Sequence, residues 1–311
     1  MVNGPARGQG LAGSARHPAY EEPFHWWGPP WDTPRPQNLL DLIRCGTLTA
    51  GQGGLLWARL ARRQSVVVVA GPRGAGKTTL LNALIDCYPS DTRRFYLRGC
   101  FEPFSFLSDP AVQPGRSLLL VNEFSPHLPS YLWGSGVARV LTAIKQGFAV
   151  VGTAHAADAV EFVASLAGFP LRIAPALIGG IDLIVALTDG AGDGHRTVAG
   201  IWTLRTVKEK EGSTEREREG SGLDIRSLLT AAREADIIID KRAESDDRGR
   251  GPSLGSAVAG SIGGDELRQR SAYLSALADR PNEGNSSVAE HLAAWPMPKD
   301  DRSAPLPDGR P

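Results

Sequence analysis

The residues Gly71, Pro72, Arg73, Gly74, Ala75, Gly76, Lys77, Thr78 and Thr79 follow the spacing G-x-x-x-x-G-K-[ST], with Gly71, Gly76, Lys77 and Thr78 in the fixed places. Glycines at that spacing let the backbone curl so that successive N–H groups point at a β-phosphate, and the helix that follows adds the positive end of its dipole. Lys77 would reach the β- and γ-phosphates, and Thr78 would ligate Mg²⁺. All nine residues are therefore candidates for holding ATP. The bland alternative is a glycine-rich turn that only caps a helix. The flanking segments favour the cradle, because SVVVVA before it reads as a strand and TTLLNALIDC after it as a helix.

A phosphate cradle does not name a reaction, so the groups that would act on the phosphate must come from elsewhere. The apolar run SLLLVNE ends in Glu123. A carboxylate at such a strand end can polarise an attacking water as general base and share the Mg²⁺. A strand-end Glu that caps the next turn is the competing reading. Asn122 precedes it and carries no charge. A second run, FAVVGTAH, ends with Thr153 and His155. Strand ends of a parallel sheet converge on the edge that carries the phosphate loop, so His155 is a candidate to face a γ-phosphate. Against that stands the ordinary case of a histidine in a loop.

These groups need a scaffold with parallel strands, and the chain supplies the pattern. Short apolar or β-branched runs occur at 65–70, 93–98, 117–123, 148–154 and 182–188, and RTVAGIWTL follows at 196–204. The helical stretches TTLLNALIDC, YLWGSGVARVLTAIKQG, AADAVEFVASLAG and PLRIAPALIGG lie between them. Strand then helix, repeated, is the signature of a three-layer α/β/α domain with a mainly parallel sheet. Ahead of the phosphate loop, NLLDLIRCG with Asn38 as cap and GGLLWARLARRQ read as two more helices.

The domain is expected over 37–206 of the 311 residues. Residues 1–36 form a Gly/Pro-rich segment whose Trp26, Trp27 and Trp31 either dock a partner or, more simply, cover an apolar patch of the same chain. The charge run KEKEGSTEREREGSG over 207–222 reads as a solvated linker, 223–244 as a helix, and 245–311 as a disordered tail. Cutting the chain near Glu209 is accordingly expected to spare the fold. With 34 basic and 34 acidic side chains the net charge is zero, which gives no global attraction for nucleic acid or anionic lipid. Cys45, Cys87 and Cys100 are too few and too irregular for a disulfide or zinc framework. No apolar run is long enough for a membrane span and the N-terminus lacks the core of a signal peptide, so a cytoplasmic location is expected, with membrane association only through partners.

Taken together, these motifs resemble the ATPases of type II and type IV secretion systems and of type IV pili. The likeness runs from about Asn38 to Leu204. SLLLVNE is similar to that family's acidic Walker B strand, VVGTAHAADAVEFVASL to its histidine box, and IDLIVALTD with RTVAGIWTL to its closing strand and hairpin. The resemblance implies a RecA-like, Mg²⁺-dependent ATPase working as a homo-oligomeric ring, commonly a hexamer. It also implies platform proteins of a secretion or pilus apparatus at the inner membrane as partners, and no direct nucleic acid. Where the family carries an Asp box, this chain reads FYLRGCFEPF, so only Glu102 is a candidate catalytic acid there. The Walker B arginine is absent, since Asn122-Glu123-Phe124-Ser125 occupies its place.

Three functions stay open at this point: a secretion or pilus motor, an ATP-binding structural or regulatory relative with little turnover, and a different phosphate-loop enzyme. A GTPase lacks support because no Asn/Thr-Lys-x-Asp segment occurs, and an ABC ATPase because no Leu-Ser-Gly-Gly-Gln segment does.

Overall fold

The computed structural model describes residues 18–23, 37–71, 76–189, 196–206, 237–241, 262, 264–279, 292 and 295. In chain order the elements are α1 (Pro18–Glu21), α2 (Leu39–Arg44), α3 (Ala50–Leu60), β1 (Val66–Val69), α4 (Lys77–Ile85), β2 (Arg93–Tyr96), β3 (Ser117–Phe124), α5 (Ser135–Lys145), β4 (Ala149–Ala154), α6 (Ala159–Ala167), α7 (Pro175–Ile178), β5 (Leu183–Asp189), β6 (Arg196–Thr206), β7 (Ile237–Lys241) and α8 (Gly264–Ala278).

The strands form one sheet in the order β2-β3-β4-β1-β5-β6-β7. The first five are parallel, and β6 and β7 add to the edge as antiparallel strands. Side chains alternate faces along each strand, and the core divides accordingly. Val66, Val68, Leu118, Leu120, Val151 and Val185 pack under α2, α3 and α4, while Val67, Val69, Leu119, Val121, Val150 and Ile184 pack under α5, α6 and α7. A parallel sheet buried on both faces requires the near-continuous apolar runs seen in the sequence. The strand order, with β1 between β4 and β5 and β4 separating β1 from β3, is RecA-like.

Local chemistry explains where helices start. Asn38 caps α2: its Oδ1 accepts the Asp41 N–H at 3.0 Å while the Asp41 carboxylate accepts the Asn38 N–H at 3.1 Å. Thr49 and Gln52 form the same reciprocal box on α3. The stretch YLWGSGVARV becomes helical only from Ser135, because Gly134 has φ +66 and breaks it. PLRIAPALIGG yields only the four-residue α7, with Pro175 at its start.

Two expectations for the C-terminal region need correction. Residues 237–241 of the stretch read as a helix pair with β6 as strand β7. Three consecutive isoleucines favour a pleated strand over a helix, and the long β6 leaves a free edge that β7 covers. Residues 223–236 lie outside the described residues, as do Trp26, Trp27 and Trp31. The tail is not all disordered either, because its residues 264–278 form α8, which packs on α3.

That packing is specific. A Cβ on Gly54 would sit 2.6 Å from Ser271 Oγ and 3.0 Å from its backbone N, and one on Gly53 would meet Leu274 Cδ1 at 3.3 Å. Glycines in mid-helix cost about 1 kcal/mol each relative to Ala, and here they let the two helices touch. Arg62 holds the Glu266 carboxylate with two hydrogen bonds of 3.1 and 2.7 Å, and Arg270 Nε adds a third at 2.9 Å. Arg270 is fully buried, with its guanidinium 4.2 Å from the Trp57 ring centroid. Arg44 donates to the last carbonyls of α8, Leu277 and Ala278, at 3.1 Å each. Burial alone would raise the Glu266 carboxyl, but the hydrogen bonds and charges of Arg62 and Arg270 outweigh it and hold it low.

Removing the residues after Glu209 therefore strips β7 and α8 from the core, and the expectation that truncation is harmless gives way to loss of stability. A sharper test is Gly54→Ala. Helix propensity alone would stabilise the variant by about 1 kcal/mol, whereas the contact with Ser271 makes it less stable, and thermal denaturation reads the sign. A raised melting temperature would show that α8 does not dock. Because the Glu266 carboxyl is lowered in the fold, its contribution is present above the ordinary carboxylate range and is lost as pH falls through the lowered value.

Candidate functional site

Lys77 opens α4 directly after Gly76, which caps the helix with φ +80 and ψ 10. Only glycine adopts that left-handed conformation without strain. Pro72, Arg73, Gly74 and Ala75 lie outside the described residues; Gly71, Thr78 and Thr79 lie within them, on either side of the turn and at the start of α4. The Lys77 side chain is buried, its Nζ 3.3 Å from His155 Nδ1 and 4.0 Å from Glu123 Oε2. Three residues from three separate segments thus meet at the end of β1, as convergence of parallel strand ends requires.

Glu123 reaches this point through an irregularity in the sheet. The β3–β4 register runs evenly to Val121 and then shifts before Phe124, so the strand turns at Asn122 and Glu123. Such bulges re-aim side chains beside active sites. Thr153 Oγ1 donates to the Asn122 carbonyl at 2.6 Å, which binds the shifted segment to β4. Thr153 is thus buried structural support rather than a group facing the phosphate. Glu123 Oε1 lies 3.2 Å from His155 Nε2, but the contact lacks hydrogen-bond alignment, and Oε1 is a buried oxygen with no hydrogen-bond donor. A neutral His155 accepting from Lys77 at Nδ1 carries its proton on Nε2, on the side of Glu123.

Glu102 does not join them. Its two oxygens accept the backbone N–H groups of Arg98 at 2.9 Å and Phe104 at 3.0 Å. Phe104 has φ +59, a left-handed conformation uncommon for a bulky side chain, and the carboxylate pins it. The place of Glu102 in the fold is therefore that of a loop clamp, and its assignment as a catalytic acid receives no geometric support. Sequence reasoning also passed over two residues. His127, four positions after Glu123, brings its ring to 6.0 Å from that of His155 in an edge-on arrangement of 69°. Arg196, the first residue of β6, lies against Gly76 on the opposite flank. No motif flags either one, because both reach the site only through the sheet order.

The donors suit Mg²⁺. Hard oxygen ligands, a hydroxyl from Thr78 and a carboxylate from Glu123, are the kind that cation takes, and the undonated Glu123 Oε1 is an acceptor that a metal-bound water would satisfy. The strand order defines a RecA-like α/β domain. No family model matches the chain, and no curated protein matches it. Among solved structures it is similar to the VirB11 ATPase from the Brucella suis type IV secretion system, crystallised with sulphate, at 21% identity and TM-score 0.36, covering 55% of this chain and 57% of that one. It is also similar to the Legionella pneumophila ATPase DotB, at 17% identity and TM-score 0.34, covering 58% of this chain and 54% of that one. The chain thus spans little more than half the length of either. The functional reading rests on this chain's own residues.

Glu102→Ala orphans the buried Phe104 N–H, which costs about 1–3 kcal/mol, and releases the half-buried Arg98 N–H. The expected result is a lowered unfolding midpoint with nucleotide affinity unchanged, read by thermal denaturation and by titration with ADP. Unchanged stability combined with lost turnover would restore Glu102 to the catalytic set.

Proposed function

We propose that the protein binds Mg-ATP and hydrolyses it, as a motor ATPase of the type that serves secretion systems and type IV pili. The observation that carries this reading is the meeting of Lys77, Glu123 and His155 at the end of the phosphate-loop strand. In this reading Gly71, Pro72, Arg73, Gly74, Ala75 and Gly76 hold the phosphates through backbone N–H groups, together with Lys77, Thr78 and Thr79. Thr78 and Glu123 would hold Mg²⁺, directly or through water, and the ion would supply charge neutralisation at the phosphates.

The steps follow from the chain's own atoms. Lys77 leaves the imidazole and carboxylate to contact the β- and γ-phosphates. Glu123, buried and one donor short, accepts a proton from the attacking water. His155 donates its Nε2 proton toward a γ-phosphate oxygen and so distinguishes ATP from ADP. Among the described residues no helix is long and apolar enough to cross a membrane. A ring of identical subunits, possessing a hexameric arrangement and working in the cytoplasm against membrane-bound platform proteins, is the assembly that fits the resemblance of the motifs.

Phosphate release from the full-length protein with Mg-ATP tests the reading. Glu123→Gln is expected to keep ATP affinity and to lose about 10²-fold or more in turnover, the scale of a general base, while Lys77→Ala weakens nucleotide binding itself. A wild-type protein that binds ATP and releases no phosphate would replace the motor by a nucleotide-binding partner protein. His155→Ala should bind ADP normally and lose both turnover and ATP-dependent association. Sedimentation with ADP and with a non-hydrolysable ATP analogue reads the second effect, and a wild-type protein monomeric with both would remove the ring.

A further inference from the structure

The flank of the phosphate loop opposite Glu123 carries a cation that the reaction above does not use. Arg196 begins β6, opposite Asp189 in the β5–β6 register, and is exposed. Its side chain lies against Gly76: a Cβ placed there would sit 3.1 Å from Arg196 Cδ, 3.6 Å from Nη1 and 3.9 Å from Nε. Gly76 therefore lacks a side chain for two reasons, its left-handed φ of +80 and the guanidinium stem lying across it. Among the described residues no carboxylate lies within ion-pair distance of Arg196, although Asp189 is its neighbour across the hairpin. An arginine held against a phosphate loop with no carboxylate on it has its five donors available for another anion.

We propose that Arg196 is a phosphate-binding residue supplied by the same subunit, directed at the diphosphate portion shared by ADP and ATP. This rests on the nucleotide-binding reading of the loop. The placement supports the diphosphate rather than the γ-phosphate. Lys77, Glu123 and His155 gather on the β3 and β4 side of β1, whereas Arg196 arrives from the β5 and β6 side, next to the residue that precedes Lys77. A guanidinium there adds charge-assisted hydrogen bonds to oxygens that the loop's N–H groups already hold.

The test is calorimetric titration of the full-length protein, wild type, Arg196→Gln and Arg196→Lys, with ADP, a non-hydrolysable ATP analogue and inorganic pyrophosphate. Arg196→Gln is expected to weaken all three by a common factor of about ten, the change for one charge-assisted contact. Arg196→Lys should recover part of the loss, and the melting temperature without nucleotide should not change. Unaltered affinities in Arg196→Gln would overturn the proposal. So would a loss confined to the ATP analogue, which would make Arg196 a γ-phosphate group. A loss for ADP but not pyrophosphate would move it to the base or ribose, and a lowered melting temperature without nucleotide would make it a brace for the loop; either overturns the proposal. A wild-type protein that binds none of the three would overturn the nucleotide reading and this one with it.

Discussion

The buried ammonium of Lys77 is the constraint around which the site is arranged. A charge taken out of water needs compensation, and removing the partner of a buried ion costs about 3–5 kcal/mol. Lys77 lies at the end of β1 with the Glu123 carboxylate 4.0 Å away and an imidazole nitrogen at 3.3 Å. Both contacts come from the ends of neighbouring strands, so the position of the ammonium is tied to the sheet as well as to its own helix. Holding the three groups together is a property of the sheet. Placing β4 between β1 and β3 brings the ends of β3 and β4 to one side of the phosphate loop, and the register shift at Asn122 and Glu123 turns the carboxylate toward it.

The same logic of compensated burial governs the helix at the far end of the chain. Arg270 is without solvent contact, and it is tolerable there because Glu266 bonds it and Trp57 offers the face of its ring. Burial lowers the affinity of Arg270 for its proton, and the Glu266 charge works against that shift. Glu266 in turn is shared with Arg62, so α3 and α8 are joined by a carboxylate between two guanidinium groups. The mid-helix glycines of α3 allow the approach that makes those bonds short. Helix α8 thus packs on α3 and α2, and these two in turn touch α4, the helix that begins with Lys77.

What could be read in advance separates along a physical line. The strand–helix alternation and the cap at Asn38 are local, because backbone dihedrals and hydrogen bonds over a few residues dictate them. That Glu123 and His155 would lie near one edge was legible for a less local reason: parallel strands end at the same edge of the sheet, and the strand order then sets which ends are neighbours. Glu102 could not be placed from sequence, because a carboxylate in a loop has the same spelling whether it serves a substrate or two backbone N–H groups. Arg270, His127 and Arg196 could not be read, since their meaning depends on which distant segment lies beside them. The tail hid α8 among polar residues; the signal that pointed to it was the pair of glycines at 53 and 54 in α3, at positions where a helix facing water alone would favour alanine.

Strand order also assigns the two flanks of the phosphate loop different tasks. β1 has β4 and then β3 on one side and β5 and then β6 on the other, so Glu123 and His155 reach Lys77 from one side and Arg196 reaches Gly76 from the other. The β4 side holds the carboxylate of Glu123 and the imidazoles of His127 and His155, all groups able to accept or give a proton. The β5 side offers Arg196, a guanidinium that keeps its charge throughout the accessible pH range. Proton chemistry and fixed positive charge are therefore separated across one strand, with Lys77 on the axis between them. Such a division keeps the permanent cation of Arg196 apart from the Glu123 carboxylate, whose Oε1 has no hydrogen-bond donor among the described residues.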